Sequence, residues 1–369
     1  MKIELKTYKK IVIKIGSSII NNHDGKDYLS NICNEMSQLI NKGKEIILVT
    51  SGAISQGMNI LKITERPSDI KKLQALAAIG QQKLMLKYEK IFSQNNNHIA
   101  QLLITHNDIN DRVRYLNIKG TIEELLSNKI IPIINENDVV STEEIKLGDN
   151  DNLASMIANL INADLLIILT DQQGMYDKNP DIYEDAKLIK SINVSDLNKY
   201  DSDFSTQSII GTGGFATKIQ AVKRAALSAT YTLIASGYEN NVINDIFNDK
   251  KFGTLFIPES KKVSSKKQWL DTTENSGEII IDDGACKALN KNNSLLFVGI
   301  TNVTNTFEKG DVINCKNKKN ECIAKGITNY GSDDIALLKG KSTEDIISLH
   351  GDKYNKEVIH ANNLIVIEI

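Results

Sequence analysis

The sequence predicts an α/β protein with a mostly parallel open sheet sandwiched by helices, followed by a small β-rich C-terminal domain. Two observations carry this prediction. Up to about residue 260, short runs of β-branched residues alternate with longer helical patterns, as in sheets whose parallel strands are buried on both faces. From about Gly277, short strand-like runs are instead separated by Gly and Asn turns, which is typical of a small barrel or sandwich.

The elements of the first region follow from their apolar patterns. Buried strands are predicted at KIVIKIG (10–16), EIILVTSG (45–52), HIAQLLIT (98–105), KIIPIINEND (129–138) and ADLLIILTD (163–171). Helices are predicted at 28–42, 70–93 and 115–128, and again after residue 214, where the apolar face comprises Ile219, Val222, Ala226 and Ala229. Because strand and helix alternate regularly, neighbouring strands are expected to be parallel.

The second region is divided from the first by a polar stretch. The segment ESKKVSSKKQWLDTTENS carries four lysines and is interpreted as a linker with a solvated face. The predicted organisation is therefore an α/β domain over 1–260, a linker over 261–276 and a β-rich domain over 277–369. Strand-like runs in the last part are GEIIID, SLLFVGI, GDVINCK, CIAKGIT and DIALLKG.

Composition narrows the class of protein. A chain of 369 residues with 41% hydrophobic content is long enough for two cores. The formal net charge is −2 and the 44 Lys and Arg residues are spread along the chain, so a polyanion-binding surface is not expected. The four cysteines form no CxxC pair and no histidine lies near them at zinc-ligand spacing, so no metal site is predicted. The N-terminus lacks a secretory h-region and no run is long enough to span a bilayer, so a cytoplasmic location is expected.

Polar residues and glycines follow four of the predicted strands. In an open α/β sheet, ligands bind outside the carboxyl ends of the strands. The sequence therefore predicts a ligand site at this edge of the sheet. The groups concerned are Lys14 with 16–18, residues 50–53, residues 135–138, and Thr170 with Asp171.

Two glycine stretches each accompany a lysine. KIGSS follows the first strand, and GTGGFATKIQAVKRAA (211–226) leads into a helix. Neither matches GxxxxGK[ST] or GxGxxG. In the second stretch, backbone amides and Lys218 converge at a helix N-terminus, which favours an anion site. A surface lysine beside KIGSS and a capped flexible loop at 211–217 are the alternatives when either stretch is taken alone.

The stretch KLGDNDNLASMIANLI (146–161) places four polar residues before an amphipathic helix. One side-chain oxygen at the N-cap satisfies the helix start. The others are therefore available to hold a charged group.

Taken together, KIGSS, TSGAI, INEND, GDNDNL, LTDQQG followed by MYDKNP, and GTGGFATK resemble, in this order, the glutamate 5-kinases of the amino-acid kinase family. The resemblance covers essentially the whole chain, and the β-rich tail is similar to the PUA domain of bacterial members. It implies the amino-acid kinase fold for the first domain. Phe215 stands where many members carry Met, at a position expected to lie against adenine or the glycine loop.

The resemblance also implies roles for individual residues. Lys14 and Lys218 would neutralise the phosphoryl group in flight, with Asp151 between them holding both lysines in place. Asp138 would pair with the ammonium of glutamate. The remaining implied substrate contacts are Ser51, Gly52 and Asn150 as donors to carboxylate oxygens, assisted by Asp149, and the implied nucleotide contacts are Lys14, Thr170, Asp171, Thr212, Gly213, Gly214, Phe215, Ala216, Thr217 and Lys218.

The implied reaction converts ATP and L-glutamate to ADP and γ-glutamyl phosphate, the first step of proline biosynthesis. Mg²⁺ would arrive with the nucleotide, held by phosphate oxygens and water. A homo-oligomer, feedback inhibition by proline, and transfer of the labile product to a γ-glutamyl phosphate reductase are also expected. No membrane partner is expected.

Two other functions stay open at this point. Acetylglutamate kinase, aspartokinase and uridylate kinase share the sheet and the first lysine, although INEND together with GDNDNL favours free glutamate. From a different class, the PUA-like tail could belong to an RNA-binding regulator on a kinase fold. The filled catalytic positions and the slightly acidic net charge argue against it.

Overall fold

An eight-stranded sheet forms the centre of the first of two structural units, which are Met1–Val263 and Ser264–Ile369. The structure is a computed structural model and describes residues 4–21, 26–141, 150–178, 180, 182–200, 214–248, 253–259, 270, 273, 275–291, 293–350 and 357–367. Within these residues, no helix combines the length and the apolar character needed to cross a bilayer.

The first sheet is almost entirely parallel. Its strands are β1 (Lys10–Ile15), β2 (Glu45–Thr50), β3 (His98–Ile104), β4 (Ile130–Glu136), β5 (Leu165–Thr170), β6 (Ser191–Asn193), β7 (Tyr231–Ser236) and β8 (Thr254–Ile257). They lie side by side in the order β3-β4-β2-β1-β5-β7-β8-β6. Only β7 and β8 pair in antiparallel fashion. The predicted mostly parallel sheet is confirmed.

Burial along the strands follows their position in the sheet. The central strands β1, β2 and β5 are buried on both faces, because helices cover each face and both alternating sets of side chains are apolar. The prediction of a buried strand at 98–105 is wrong in this respect: β3 lies at the sheet edge, and only Ile104 in it is buried. An apolar pattern does not distinguish an edge strand from a central one.

Helices lie between the strands, as the alternation predicts. They are α1 (Ser17–Asn21), α2 (Tyr28–Asn41), α3 (Ala53–Leu61), α4 (Ile70–Ser93), α5 (His106–Asn110), α6 (Arg112–Ser127), α7 (Asp151–Ile161), α8 (Gly214–Ala226) and α9 (Val242–Phe247). A large apolar core lies where α2, α4 and α9 pack against the sheet.

Two helix predictions need correction. Helix α6 begins three residues before the predicted start at Tyr115, because the Asp111 side chain accepts a hydrogen bond from the Arg114 backbone and caps the helix there. Helix α8 ends before Ala229, which has a positive φ of 56°. Its buried face therefore uses Ala225 in place of the predicted Ala226 and Ala229.

Strand register aligns the carboxyl ends of the central strands. Ile15 of β1 lies opposite Thr50 of β2 and Leu169 of β5. Val49 of β2 lies opposite Ile134 of β4. Since all four strands run in the same direction, the residues that follow them emerge at one edge of the sheet.

The second unit contains a five-stranded sheet. Its strands are β9 (Gly277–Ile281), β10 (Ile300–Thr304), β11 (Val312–Lys316), β12 (Cys322–Ile327) and β13 (Leu364–Val366), in the order β10-β9-β11-β12-β13. Its helices are α10 (Asp283–Asn290), α11 (Ser332–Leu338) and α12 (Thr343–His350). The β-rich character is confirmed, whereas the predicted linker at 261–276 lies mostly outside the described residues.

Two strand predictions in this unit are wrong. DIALLKG belongs to helix α11, where Ile335 and Leu338 are buried one turn apart and Asp333 and Asp334 lie in the first turn, a position that favours acidic side chains. In SLLFVGI, residues Phe297–Gly299 form a 3₁₀ turn, and the strand begins only at Ile300. Both segments are too short for periodicity to separate helix from strand.

Candidate active site

A buried cluster of two lysines and one aspartate lies at the carboxyl edge of the first sheet. Lys14 Nζ is 2.6 Å from Asp151 Oδ1, and Lys218 Nζ donates a hydrogen bond of 2.8 Å to Asp151 Oδ2. Lys14 comes from β1, Asp151 is the first residue of α7 and Lys218 lies in the second turn of α8. Three separate elements therefore place their charges at one point.

Burial makes this cluster costly unless its charges are balanced. The Asp151 side chain has no solvent-exposed surface, and Lys14 is 4% exposed. Moving a carboxylate out of water costs roughly several kcal/mol of solvation free energy unless cations and hydrogen bonds replace the water. One lysine on each carboxylate oxygen supplies that replacement. The three side chains together still carry one net positive charge, so the cluster suits an anionic ligand.

A tight turn connects β2 to α3 beside this cluster. Gly52 is the N-cap of α3 and has a φ of 97°, in the left-handed region that glycine adopts without strain. The preceding Ser51 is buried, and its Oγ has no hydrogen-bond partner among the described residues. The hydroxyl of Ser51 and the free N–H groups at the start of α3 are therefore available to a ligand.

Asn150, the N-cap of α7, uses its side-chain donors within the protein. Its Nδ2 donates to the Thr50 carbonyl at 2.5 Å and to Asn135 Oδ1 at 2.7 Å. An amide nitrogen has only two hydrogens, so this side chain has no donor left for a substrate carboxylate. Its contribution to a ligand through the side chain would come from Oδ1, which reverses the direction of the hydrogen bond expected from the sequence.

Asp138 follows β4 and is partly buried. Burial raises the pKa of its carboxyl to about 6, the nearby negative charge of Glu136 adds to the rise, and the positive charge of Arg66 opposes it. At neutral pH the negative charge of the Asp138 carboxylate therefore has an unfavourable solvation free energy until a cation pairs with it.

Glu136 belongs to the predicted polar group 135–138, but the sequence assigned it no role. It is buried, and neither carboxylate oxygen has a hydrogen-bond partner among the described residues. His106 Nδ1 lies 3.7 Å from Oε2. The residue belongs to INEND, so its charge was visible in the sequence, but a strand residue shows its direction only in the fold.

A cavity of about 460 Å³ opens beside Glu136 and Asp138. Its wall also includes Ala53 at the start of α3 and Gln81 of α4. Asn135, which contacts Asn150, lies near the end of β4, three residues before Asp138. The cavity therefore lies close to Asn150, the N-cap residue of α7.

The remaining predicted residues lie around α8 and the end of β5. The Thr170 hydroxyl donates to Asp171 Oδ1 at 2.9 Å. Gly214 is the first residue of α8, Phe215 is buried, and Ala216 and Thr217 are half-buried. Asp149, Thr212 and Gly213 lie outside the described residues.

Comparison with known proteins defines the class to which this fold and site belong. The sequence model of the Amino acid kinase family matches residues 9–236, and that of the PUA domain matches residues 277–350. The first match covers more than half of the chain and includes Lys14, Asp151 and Lys218. The chain belongs to the amino acid kinase family.

Relatives that match over their full length indicate which subgroup of the amino acid kinase family this chain belongs to. Glutamate 5-kinase of Caldanaerobacter subterraneus subsp. tengcongensis is 44% identical over 97% of this chain and 98% of its own length. Glutamate 5-kinase of Marinomonas sp. (strain MWYL1) is 41% identical over the whole of both chains, and that of Acinetobacter baumannii (strain SDF) is 40% identical over 98% and 97%. Within the family, this chain is a member of the glutamate 5-kinases.

Proposed function

We propose that this protein transfers the γ-phosphoryl group of ATP to the γ-carboxylate of L-glutamate, giving ADP and γ-glutamyl phosphate, the first step of proline biosynthesis. The observation that carries the proposal is the buried Lys14–Asp151–Lys218 cluster at the ligand-binding edge of the sheet. The full-length similarity to glutamate 5-kinases identifies the acceptor.

The chemistry needs fixed positive charge. Two anions must approach each other, and negative charge spreads over the equatorial oxygens of the phosphoryl group as it passes between them. In this proposal the ammonium groups of Lys14 and Lys218 contact those oxygens. No covalent enzyme intermediate is required, because the acceptor carboxylate is already ionised at neutral pH.

Asp151 acts in this proposal as a positioning residue. Two ammonium groups aimed at one point repel each other, and lysine side chains are flexible. The carboxylate lies between them, and its place at the N-terminus of α7 holds it by the helix backbone. The lysines are thereby ordered before substrates arrive, which avoids a cost of reorganisation during the reaction.

Glutamate is recognised at the cavity beside β4. Asp138 pairs with the substrate ammonium. The Ser51 hydroxyl and the backbone N–H groups after Gly52 donate hydrogen bonds to the carboxylate oxygens of the substrate. Asn150 contributes through its side-chain oxygen. Asp149 is proposed to assist.

ATP lies on the side of β5 and α8. Its phosphates approach the N-terminus of α8, where the helix dipole and the backbone N–H groups of the first turn favour anions, with Lys14 and Lys218 beside them. Mg²⁺ would arrive with the nucleotide and bind phosphate oxygens and water. The proposed nucleotide contacts are Thr170, Asp171, Thr212, Gly213, Gly214, Phe215, Ala216 and Thr217.

Location, product transfer, regulation and assembly complete the proposed function. The enzyme works in the cytoplasm, where ATP and glutamate are available, and passes its labile acyl phosphate to a reductase. Proline competes for the glutamate site. The chain forms a homo-oligomer, for which exposed apolar side chains at the β3 edge and on nearby helices offer a surface, namely Leu86, Leu103, Val113 and Leu116.

An ATP-dependent hydroxamate assay tests the activity. Hydroxylamine traps an acyl phosphate, so the purified protein should form hydroxamate from L-glutamate and much less from N-acetylglutamate or aspartate. The variant Asp151→Asn provides the inactive control. Preference for N-acetylglutamate or aspartate, or no ATP-dependent product from any of the three, would overturn the proposal.

A further inference from the structure

A chain of side-chain amides runs from the start of α7 to α4. It begins at Asn150, whose Nδ2 contacts the Thr50 carbonyl and Asn135 Oδ1. It continues through Asn135 Nδ2, which donates to Gln81 Oε1 at 2.7 Å. All three side chains are buried.

Two backbone groups determine the orientation of every amide in this chain. The Thr50 carbonyl can only accept, so the Asn150 nitrogen must face it. The Glu136 backbone N–H, which can only donate, points at Asn135 Oδ1 at 2.9 Å. Flipping either asparagine would set donor against donor or acceptor against acceptor. Because Asn135 must present its nitrogen to Gln81, the oxygen of Gln81 faces Asn135 and its nitrogen faces away.

That nitrogen has no partner among the described residues. Gln81 is 8% exposed, and its Nε2 is a buried donor without a hydrogen bond. Gln81 lines the same cavity as Glu136 and Asp138. Both oxygens of Glu136 are likewise buried without a hydrogen bond in the described residues. Buried donors and acceptors without hydrogen bonds on one cavity wall are complementary to a ligand that carries both an anionic and a cationic group.

An α-amino acid carries an anionic carboxylate and a cationic ammonium on a single carbon. We propose that Gln81 Nε2 donates a hydrogen bond to the α-carboxylate of the substrate, while the adjacent ammonium lies against Glu136 and Asp138. This inference rests on the proposed function, since it assumes glutamate as the substrate. Asn135 is then a positioning residue, because it turns the Gln81 amide so that its donor faces the cavity.

The test combines variants of Gln81 with truncated substrates. Gln81→Glu keeps an oxygen for Asn135 and removes only the donor, whereas Gln81→Met removes the whole amide. 4-Aminobutyrate lacks the α-carboxylate, and glutarate lacks the ammonium. Rates are measured by ATP-dependent hydroxamate formation, with kcat and KM determined separately for the amino acid and for ATP, and thermal unfolding confirms that each variant is folded.

Both variants should raise the KM for glutamate about tenfold or more, as expected when a site loses a donor built for a substrate oxygen. The KM for ATP should change less than about twofold. The ratio of kcat/KM between glutamate and 4-aminobutyrate should fall, whereas that between glutamate and glutarate should not. Gln94→Met, at the exposed C-cap position of α4 and outside the lining of this cavity, is the matched control.

An unchanged glutamate KM in folded Gln81→Glu would overturn the inference. So would equal losses of kcat/KM for glutamate and 4-aminobutyrate, or equal effects of Gln81→Met and Gln94→Met, since these results indicate a structural role only. Failure of the proposed function is recognised separately, because the parent protein would then form no hydroxamate from glutamate.

Discussion

At the scale of single residues, the site depends on charges that are compensated before any ligand arrives. Asp151 is fully buried and contacts Lys14 on one oxygen and Lys218 on the other. Removing one lysine takes away charge stabilisation in the transition state. It also leaves the buried Asp151 carboxylate with only one of its two lysine partners. The consequence should be a loss of rate greater than the loss of substrate affinity.

We therefore expect Lys14→Ala and Lys218→Ala each to lower kcat by roughly 10²- to 10³-fold, the range found when one preorganised donor is lost. The control is Lys10→Ala, at the opposite end of β1, where the side chain lies 3.9 Å from Glu45. Steady-state kinetics on all three variants check this. A kcat in Lys14→Ala similar to that in Lys10→Ala would remove Lys14 from the mechanism.

Asp138 gives a prediction about pH. Its pKa is raised to about 6, so the carboxyl takes up a proton as the pH falls through this value and loses the charge that pairs with the ammonium. The KM for glutamate should therefore rise below about pH 6 and be nearly constant above it. Asp138→Asn should show a high glutamate KM without this step, and an unchanged ATP KM.

Other charges near Asp138 must be separated from its own titration. Glu136 is the last residue of β4, two positions before Asp138. Arg66 acts on Asp138 from the segment between α3 and α4, and His106 lies beside Glu136. If the step near pH 6 persisted in Asp138→Asn, it would belong to one of these groups, and the role of Asp138 would be refuted.

At the scale of elements, the position of α3 depends on the close contact between Gly57 of α3 and Gly80 of α4. A Cβ atom on Gly80 of α4 would lie 1.8 Å from the Ala53 carbonyl oxygen, and one on Gly57 would lie 2.0 Å from that of Leu76. Only glycine permits this separation of the helix backbones. Since Ala53 begins α3, the contact also positions the Ser51–Gly52 turn.

Gly80→Ala should therefore push α3 away from α4 and lower the free energy of unfolding by about 1–3 kcal/mol. It should also raise the KM for glutamate, because both the turn and Gln81 would move. Thermal or denaturant unfolding and glutamate kinetics measure the two effects.

Gly120→Ala is the matched control for the same substitution in a helix. Gly120 lies in α6 and has nothing within 4 Å of the added carbon. This variant should be more stable than the parent by about 0.5–1 kcal/mol, since alanine favours the helix. Equal effects of the two substitutions would contradict the packing argument.

At the scale of the whole molecule, the described site residues all belong to the first unit, Met1–Val263. The second unit has its own apolar core. No described group that the proposed mechanism uses comes from Ser264–Ile369.

A chain ending at Val263 should therefore fold and keep ATP-dependent phosphorylation of glutamate with a kcat of the same order as the full chain. Circular dichroism and the hydroxamate assay check folding and activity. A truncated protein that unfolds cooperatively but forms no product would show that the second unit contributes to catalysis.

The sequence by itself determined the elements and the chemistry. Alternating apolar runs predicted the strands β1, β2, β4 and β5 and the helices α2 and α4 within a few residues, because burial on both faces and a helical period leave clear patterns. The ordered motifs predicted an amino-acid kinase, and the resemblance to that family implied that Asp151 lies between Lys14 and Lys218.

Only the tertiary structure decided which side chains face each other and in which direction. The edge position of β3 and the helix at Ser332–Leu338 depend on neighbours that local pattern does not encode. The same is true of Glu136 and Gln81. A glutamine within a helix carries no signal of its own, and the orientation of its amide follows from hydrogen bonds to Asn135, 54 residues away along the chain.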